Sequence, residues 1–433
     1  MTVPAGDSFG AYVRRARGAG QLVVQPRMGF SDPAAMRAGL LAVRAAPVTA
    51  AGTVTVDSYT RLGLHGEARR ALNAGVPLNG YPIVAHGGAV NRSMLAGVPR
   101  PGFPVQVRHG SAQPGAIVRA MRHAGLHATE GGPVSYCLPY GRVPLRQSIA
   151  NWERACELLT RAPDGDTQAH LETFGGGMMG QLCPPGLLVA TSILEALFFR
   201  QHGLRSVSLS YAQQTSPAQD RLAVRALAVL GAELLADIDW HIVVYAYMGL
   251  YPRTGAGARR LLRAAAALAV QTGAARLIVK TTAEAHRIPT VAENVEALRI
   301  ASLAAARVRD TPAAPQTAEN EVLREARTIV AAVLGLHDDV GRALLRAVTR
   351  GHFDVPYCLH PDNHGRTRSY VAPDGWLRWS RVGGMPIDPP PGPAARAGTT
   401  AAQLLTSLSY TRDTFDAAGA SRPTATSRRA GTP

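Results

Sequence analysis

The run Val105-Gln-Val-Arg108-His-Gly110 sets the pattern that decides the fold, because it is a short apolar segment that ends in polar residues and a glycine. A helical stretch, Pro114–Ala124, follows it, and a second apolar run, His127–Thr129, then ends at Glu130. A strand, a helix and another strand in this order predict a β-α-β unit with parallel strands. The side chains that end such strands meet at the carboxyl edge of the sheet.

The same alternation recurs through most of the chain. Nine short apolar runs qualify as strands, namely Leu22–Gln25, Thr53–Val56, Tyr81–Ala85, Val105–Val107, His127–Thr129, His170–Thr173, Val207–Leu209, His241–Tyr245 and Leu277–Val279. Helical stretches between them include Pro114–Ala124, Gly186–His202, Ala218–Ala236 and Ala256–Thr272. The repetition predicts an α/β fold, a (β/α)8 TIM barrel. One of the nine candidates must then lie outside the barrel, and the pattern does not identify which.

The chain divides into four predicted parts. Residues 1–20 are an N-terminal segment, residues 21–310 the catalytic barrel, residues 311–388 a C-terminal appendage rich in α-helix, and residues 389–433 a flexible tail. The pattern of Ala318–Thr349 predicts amphipathic helices that pack against the barrel. The tail is rich in proline, alanine, threonine and arginine, which is typical of poorly ordered segments.

Composition excludes several classes of function. The net charge is +16, but the arginines are scattered and aromatic residues make up only 6%, so we expect a small anionic ligand rather than a nucleic acid. The apolar segment Leu187–Phe199 is interrupted by Glu195 and is shorter than the ~20 residues of a membrane span. The segment Met1–Gln21 lacks the apolar core of a secretory signal. The four cysteines, Cys137, Cys156, Cys183 and Cys358, form no Cys-x-x-Cys pair, which favours a reduced, cytoplasmic protein.

Lys280 stands out in this composition. Of the 46 basic residues other than histidine, 45 are arginine, and Lys280 is the single lysine. A compositional bias that replaced lysine wherever arginine could serve has spared this position. Because a guanidinium cannot take the place of a compact ammonium in a tight geometry, Lys280 is a candidate functional residue. Chance survival is the alternative.

Charged side chains lie at the carboxyl ends of predicted strands, where barrel enzymes place their active sites. They are Arg27, Arg61, Arg108, Glu130 and Lys280. Converging arginines repel one another, so a purely structural role is costly. They fit an anion with more than one carboxylate, which guanidinium forks bind in a bidentate manner. For any one arginine alone, a surface salt bridge is the simpler explanation.

The stretch from Glu130 to Tyr140 carries a carboxylate and two phenols, Tyr136 and Tyr140. The glycines after Glu130 permit a sharp turn, and Pro139 disfavours a helix. We therefore expect a shaped loop that lines a pocket, although this stretch by itself also fits an exposed turn.

Two further motifs have better explanations than a phosphate site or a metal site. The glycine-rich stretch that follows Phe174 is no nucleotide fingerprint, and backbone that approaches a large ligand is the better explanation. Cys358-x-His360-x-Asp362-x-His364 has donor atoms at alternate positions that fit a metal. Its Pro-Asp-Asn sequence favours a turn instead, so we expect no metal site.

Taken together, specific motifs make the chain resemble a known family. They are Gln25-Pro-Arg27-x-Gly29, Thr55-Val-Asp-Ser-Tyr-Thr-Arg61, Leu78-Asn79-Gly80, Gln106-Val-Arg108-His109-Gly110, Glu130–Tyr140 and Val279-Lys280-Thr-x-x-Glu284-Ala-x-x-Ile288-Pro289. The chain, from about Val24 to Asp388, resembles the catalytic (epsilon) subunit of adenosylcobalamin-dependent glutamate mutase, also called methylaspartate mutase. The fold of that family is a (β/α)8 barrel.

The resemblance implies roles for individual residues. Those implied to bind substrate are Arg27, Arg61, Arg108 and His109 for its carboxylates, Glu130 for its ammonium, and Tyr136 and Tyr140 as a phenolic wall. Lys280 and Glu284 are implied to hold the adenosyl ribose. Gly29, Asn79, Pro139, Tyr251 and Ile288 match cobalamin-contacting positions, with Tyr251 where phenylalanine is usual. Glu130, Arg108 and Lys280 are the implied catalytic residues.

The resemblance also implies an isomerase reaction. A 5′-deoxyadenosyl radical takes hydrogen from C4 of L-glutamate, and the carbon skeleton rearranges through a glycyl radical and acrylate to (2S,3S)-3-methylaspartate. Cobalamin-binding domains of this class carry Asp-x-His-x-x-Gly, whereas Asp239-Trp-His241-Ile-Val-Val lacks the glycine. A separate small cobalamin-binding subunit is therefore implied, with a homodimer of this chain inside a heterotetramer. Arg27 lies closer to the start of the chain than is usual in the family, so we expect part of the N-terminal segment to be missing.

Two other functions stay open. One is the same radical chemistry on a glutamate analogue in a biosynthetic pathway, since the arginines favour a dicarboxylate without fixing its other substituents. The other is a non-catalytic barrel that binds a ligand or partner.

Overall fold

The computed structural model describes residues 8–99, 101–139, 141–161, 168–175, 182–309, 320–389 and 400–418. Its strands are β1 (Val23–Pro26), β2 (Gly52–Thr55), β3 (Val105–Arg108), β4 (Ala128–Glu130), β5 (His170–Glu172), β6 (Ser206–Ala212), β7 (Asp239–Tyr245), β8 (Arg276–Val279), β9 (Arg368–Val371) and β10 (Leu377–Arg381). Its helices are α1 (Phe9–Gly18), α2 (Pro33–Ala45), α3 (Ser58–Arg61), α4 (His65–Asn73), α5 (Ile83–Leu95), α6 (Gly115–His123), α7 (Leu145–Thr160), α8 (Pro185–Gln201), α9 (Pro217–Leu234), α10 (Gly255–Gln271), α11 (Val291–Arg309), α12 (Glu321–Leu334), α13 (Val340–Arg350) and α14 (Ala401–Ala417).

The first eight strands form one parallel sheet that curls into a nearly closed barrel. Each strand pairs with its neighbour in sequence from β2 to β8, and β8 pairs with β1 in parallel, with Val23 opposite Arg276. A parallel bridge between Val24 and Ala50 brings β1 beside the segment that leads into β2. Helices separate the strands, so the predicted (β/α)8 barrel is confirmed.

The ninth strand candidate, Tyr81–Ala85, is not a strand. Its apolar residues instead open helix α5, which begins at Ile83. Tyr81 donates one backbone hydrogen bond to Thr55 but joins no strand ladder, and its hydroxyl donates to Asn91 at 2.8 Å inside the helix. A short apolar run fits a buried helix start as well as a strand, which is why periodicity alone could not separate the two.

Helix α1 closes the amino end of the barrel. Ser8 caps the helix, and the ring of Phe9 stacks on His170 at 5.0 Å and lies under the guanidinium of Arg276 at 4.9 Å. A Cβ atom at Gly10 would lie 2.3 Å from the Ser206 hydroxyl, so only glycine allows this approach. His170, Ser206 and Arg276 are the first residues of their strands. The opposite, carboxyl end of the barrel is therefore the end available for a ligand.

The C-terminal region packs on the outside of the barrel. Helices α12 and α13 lie against α8. Residues Pro185–Phe199 of α8 are buried between these two helices and the barrel. The hairpin β9–β10, which the sequence did not predict, is tied to α9 because Gln219 donates to the Leu377 carbonyl at 2.9 Å. Across the described residues, no helix combines the length and apolar composition that crossing a bilayer requires.

Within the predicted tail, the structure describes residues 400–418, which include helix α14. Thr400 and Gln403 form a capping box that starts α14, and the helix packs against α10. Asp416 accepts backbone hydrogen bonds from Arg253 at 2.9 Å and Thr254 at 3.0 Å. These contacts hold α14 against the segment before α10, and amino-acid composition alone does not predict them. Residues 390–399 and 419–433 lie outside the described residues.

Candidate active site

A cavity of about 260 Å³ opens at the carboxyl ends of the barrel strands. Its lining residues are Arg27, Thr55, Val56, Ser58, Arg61, Asn79, Arg108, His109, Gly110, Glu130, Tyr136, Phe174 and Met248. Seven of these, Arg27, Arg61, Asn79, Arg108, His109, Glu130 and Tyr136, are site residues predicted from the sequence. The barrel brings them together because they follow β1, β2, β3 and β4, whose ends share one rim.

Arg108 is the most buried cation of this cavity, with 3% of its surface exposed. Its Nη1 donates to Glu172 Oε1 at 3.0 Å, and its Nη2 pairs with Glu130. The guanidinium also lies 5.0 Å from the centre of the Tyr245 ring. The fork of Arg108 thus joins two carboxylates that belong to different strands, as only a planar guanidinium can do.

Glu130 is held between Arg108 and Tyr136, whose hydroxyl donates to Glu130 Oε1. Burial raises the pKa of Glu130, and the attraction of Arg108 only partly opposes this rise. The turn that follows needs glycine. Gly131 has a φ of +135°, and a Cβ there would lie 2.3 Å from Trp152. Tyr136 can therefore fold back over Glu130 because the chain reverses at Gly131.

His109 is neutral. Burial and, to a smaller extent, the neighbouring Arg108 together lower its pKa to about 3. Nδ1 accepts the backbone N–H of Ser111 at 3.0 Å, so the ring proton lies on Nε2. Among the described residues Nε2 has no hydrogen-bond partner although it is buried. His109 therefore offers an unused N–H donor beside the cavity.

Lys280 and Glu284 form an ion pair beside the cavity, with 3.1 Å between Nζ and Oε1. Arg27 approaches the same oxygen at 3.3 Å, so it pairs with Glu284 although it lines the same cavity as Arg61 and Arg108. Burial lowers the pKa of Lys280 to about 8, although Glu284 opposes this. Burial would raise the pKa of Glu284, but Lys280 and Arg27 outweigh it and lower that pKa. The pair is ionised and partly shielded from water.

The remaining predicted cofactor positions surround this end of the barrel. Tyr251 is buried, and its ring centre lies 5.1 Å from the Lys280 ammonium. Gly29 lies so close to β2 that a Cβ would meet the Thr55 carbonyl oxygen at 2.2 Å. Pro139 is half-buried, and Ile288 is 53% exposed. Tyr140 lies outside the described residues, so its predicted place in the phenolic wall stays a prediction.

Sequence analysis missed three residues that organise the cavity from within the strands, namely Glu172, Tyr245 and Arg276. Glu172 accepts hydrogen bonds from Arg108, Tyr245 and Arg276 and is fully buried. Burial would raise the pKa of Glu172, but Arg276 and Arg108 outweigh burial and lower that pKa to about 2. The available signal was a carboxylate inside an apolar strand, which must be paired if it is buried.

Of the two other motifs, the run from Cys358 to His364 is described in full, and its side chains have structural roles. Residues 176–180 of the glycine-rich stretch after Phe174 lie outside the described residues. His360 lies 2.9 Å from the Val143 carbonyl, and Cys358 donates to the Leu138 carbonyl at 3.1 Å. Asp362 accepts the Leu145 N–H at 2.6 Å. These residues brace the segment after Tyr136, and no cluster of three or more His, Cys, Asp or Glu within the described ranges could hold a metal ion.

Comparison with known proteins identifies the family. The family described as methylaspartate mutase E chain (MutE) matches residues 3–392. The chain is 31% identical over 345 residues to the glutamate mutase epsilon subunit of Halobacterium salinarum, covering 77% of this chain and 72% of that protein. It is 28% identical over 349 residues to the glutamate mutase epsilon subunit of Escherichia coli O157:H7, with the same coverage of 77% and 72%. The chain therefore belongs to the methylaspartate mutase E chain family.

Proposed function

We propose that this chain is the catalytic subunit of an adenosylcobalamin-dependent isomerase that interconverts L-glutamate and (2S,3S)-3-methylaspartate. The observation that carries the proposal is the shared cavity of Arg61, Arg108, Glu130 and Tyr136, with the Lys280–Glu284 pair beside it. Such a cavity offers cations for carboxylates and a carboxylate for an ammonium. We propose further that the chain is cytoplasmic and works as a homodimer within a heterotetramer.

Arg61 and Arg108 differ in how they would bind the two substrate carboxylates. Arg108 already contacts Glu130 and Glu172, so it has a fixed orientation and would share its remaining hydrogen-bonding capacity with the substrate. Arg61 is exposed, and no carboxylate among the described residues pairs with it. The second fork is therefore available at the open side of the cavity. The Nε2–H of His109 adds a neutral donor beside Arg108.

Glu130 would receive the substrate ammonium. A buried carboxylate next to one arginine can accept a second cation, since Arg108 is shared with Glu172. Because burial raises its pKa, Glu130 can also accept a proton from that ammonium. Tyr136 fixes the rotamer of Glu130 through its hydroxyl and covers it from water.

The residues on the Lys280 side fit the adenosyl group. The hydroxyl of Tyr251 is buried without a partner among the described residues, and Lys280 and Glu284 supply a donor and an acceptor for ribose hydroxyls. Gly29 matches a cobalamin-contacting position, and the lack of a side chain there lets the segment after β1 lie against Thr55 of β2. Adenosylcobalamin supplies the radical that removes hydrogen from the substrate. The chain itself binds the substrate, orients it and excludes water.

A second, cobalamin-binding subunit would cover this end of the barrel. Apolar side chains are exposed on the segments that follow β2, β7 and β8, namely Tyr59, Leu62, Leu64, Leu250 and Ile288. Exposed apolar residues around a polar cavity are typical of a surface that binds a partner or a large ligand. The chain has no Asp-x-His-x-x-Gly of its own, so the proposal assigns the corrin mainly to the partner.

The test is reconstitution with a small cobalamin-binding mutase subunit and adenosylcobalamin, followed by chromatographic analysis of the products. L-Glutamate should give 3-methylaspartate. A parallel panel of glutamate analogues tests whether the true substrate carries another substituent. The complete absence of turnover with every dicarboxylate, from a complex that has bound cofactor, would contradict the proposal.

A further inference from the structure

Glu195 is a buried carboxylate outside the cavity. It lies on α8 among apolar neighbours and has 0% of its surface exposed. Burying a carboxylate costs several kcal/mol unless hydrogen bonds or a counter-charge compensate for the lost hydration. Among the described residues, no arginine, lysine or histidine forms an ion pair with Glu195. Its environment must therefore compensate through hydrogen bonds.

Those hydrogen bonds come from two active-site loops. Oε1 accepts the backbone N–H groups of Val134 at 3.1 Å and Ser135 at 2.8 Å. Oε2 accepts the Ser135 hydroxyl at 2.9 Å and the backbone N–H of Phe174 at 3.4 Å. The first three donors belong to the loop after β4, and Phe174 follows β5. One carboxylate thus joins the ends of two neighbouring strands.

Gly132 is shaped to this carboxylate. A Cβ at that position would lie 2.0 Å from the carboxyl atoms of Glu195, so any other residue there would displace the carboxylate. Tyr136 then follows in a tight turn, in which its N–H donates to the Gly132 carbonyl at 3.3 Å. Glu195 and the glycine after Gly131 therefore act as a matched pair that sets the path of the loop.

The two anchored loops form one wall of the cavity. Tyr136 and Phe174 both line it, and their rings pack 4.7 Å apart. Tyr136 in turn donates to Glu130. A displacement of the loop at Val134 and Ser135 would therefore move the phenol that orients the catalytic carboxylate.

We infer that Glu195 is a positioning residue, which fixes Tyr136 and Phe174 through the backbone of their loops and thereby orients Glu130 for the substrate. The inference rests on the proposed function for the identity of that substrate. A role in folding alone is the competing explanation. The two differ in what they predict for substrate affinity at temperatures where the variant is fully folded.

The test compares Glu195→Gln with a matched control, Asp220→Asn. Asp220 is also a fully buried carboxylate on a helix, and it accepts the backbone N–H of Gln214 at 3.1 Å in the loop after β6. Burial raises the pKa of both groups to about 7, so their local environments are alike. No described residue of the loop after β6 is among those that line the cavity. Glu195→Gln therefore removes a buried anchor of a loop that lines the cavity, whereas Asp220→Asn removes a buried anchor of a loop away from it.

The first measurement is amide hydrogen exchange on the chain alone, which needs neither cofactor nor partner. An amide side chain at position 195 presents N–H groups to N–H donors, so exchange should accelerate in residues 132–138 and at Phe174. Asp220→Asn should accelerate exchange only near Gln214. Unchanged exchange in residues 132–138 of Glu195→Gln would overturn the anchor itself.

The second measurement uses the reconstituted complex. Glu195→Gln should lower kcat/KM for L-glutamate by about 100-fold, mainly through a higher KM, because Glu130 loses its orientation. The affinity for adenosylcobalamin should not change, and Asp220→Asn should leave both values near those of the wild type. Normal kcat/KM in Glu195→Gln, or an equal loss in Asp220→Asn, would overturn the positioning role.

Two further variants keep the test decisive if Glu195→Gln does not fold. Ser135→Ala removes one of the four hydrogen bonds and should cause a smaller loss of the same kind. Gly132→Ala displaces the carboxylate and should likewise raise the KM for L-glutamate and accelerate exchange at Val134 and Ser135, because it breaks the same contact. An inactive wild-type complex with altered exchange in the variants would refute the proposed function and the positioning role while leaving a structural anchor.

Discussion

The ammonium nitrogen of Lys280 lies 3.1 Å from Oε1 of Glu284. This single lysine of the chain is 5% exposed, sits over the ring of Tyr251 and lies at the end of β8. Arg27 contacts the same carboxylate oxygen from β1, so the space around the ammonium is bounded on two sides. We therefore expect this place to suit a compact cation better than a planar guanidinium.

Lys280→Arg should therefore be poorly tolerated, although arginine fills every other basic position apart from the histidines. The larger group would displace Glu284 or Tyr251 and move the ribose that we propose they contact. A small misplacement of the reacting groups lowers the rate by about 100-fold. The rate of the substrate-induced electron paramagnetic resonance signal in the reconstituted complex measures this loss.

Arg327→Lys is the control, because Arg327 is exposed and pairs with Glu233 on the outer helices, away from Lys280 and the cavity. Thermal unfolding of both variants should resemble that of the wild type. A Lys280→Arg protein that folds normally and gives the signal at the parental rate would show that arginine can fill the role of Lys280.

Arg61 and Arg108 should respond differently to the same exchange. Arg61→Lys replaces a fork by a point charge at an exposed position and should lower kcat/KM by about 100-fold, roughly 3 kcal/mol, without loss of stability. Arg108→Lys should lose as much activity and also roughly 2 kcal/mol of stability, since lysine cannot serve both Glu130 and Glu172. Steady-state kinetics and urea unfolding separate the two effects. Nearly intact glutamate turnover in either variant would refute the assignment of these two arginines to the substrate carboxylates.

Glu172→Gln tests the polar network inside the barrel. Loss of this carboxylate leaves Arg276 without its buried counter-charge and should lower the free energy of unfolding by about 3–5 kcal/mol. Glu233→Gln removes an exposed partner of Arg327 and should change it by less than about 1 kcal/mol. Equal stability of the two variants in urea titrations would contradict a structural role for the network.

The fold and the rim of the site were accessible to sequence reasoning for one physical reason. In a parallel barrel the residue after an apolar run lies at the carboxyl end, so Arg108, Glu130 and Lys280 could be placed without coordinates. The ambiguous run was Tyr81–Ala85, because a few apolar residues carry no usable period. The backbone hydrogen bond from Tyr81 to Thr55 of β2 depends on tertiary structure, so the sequence alone does not reveal it.

The interior of the site was not accessible in the same way. Glu172 and Arg276 lie within strands and point into the barrel, where each is acceptable only because the other is there. Their partnership joins β5 to β8, and no local pattern encodes it. Glu195 was visible in the sequence as an interruption of an apolar helix, but its role depends on Gly132 and Ser135 from another element.

The titration of Lys280 provides a pH test that is independent of turnover. Burial lowers its pKa in the folded protein to about 8, whereas an exposed lysine has a pKa of about 10.4. The unfolded state therefore binds this proton more tightly, and stability rises with pH between these two values. Above about pH 10.4 the lysine is neutral in both states, and the folded protein bears no cost for a buried charge. Stability falls as the pH drops through this window, and below about pH 8 the folded protein bears the full cost of burying the ammonium. In urea titrations the wild type should gain stability over Lys280→Met across this window, and a constant difference would contradict the lowered pKa.

The chain alone should bind adenosylcobalamin poorly and should not turn over L-glutamate. Its barrel supplies the Lys280–Glu284 pair and the close approach of Gly29 to Thr55, but its sequence has no Asp-x-His-x-x-Gly. The apolar residues Leu62, Leu250 and Ile288 are exposed at the rim of the cavity, where we propose that the second subunit binds.

Equilibrium dialysis with and without a small cobalamin-binding subunit measures the cofactor bound, and the same mixtures are assayed for 3-methylaspartate. Binding and activity should appear together only when the second subunit is added, because it closes the cavity over the substrate. Robust turnover by the purified chain with cofactor alone would show that this barrel holds the corrin by itself.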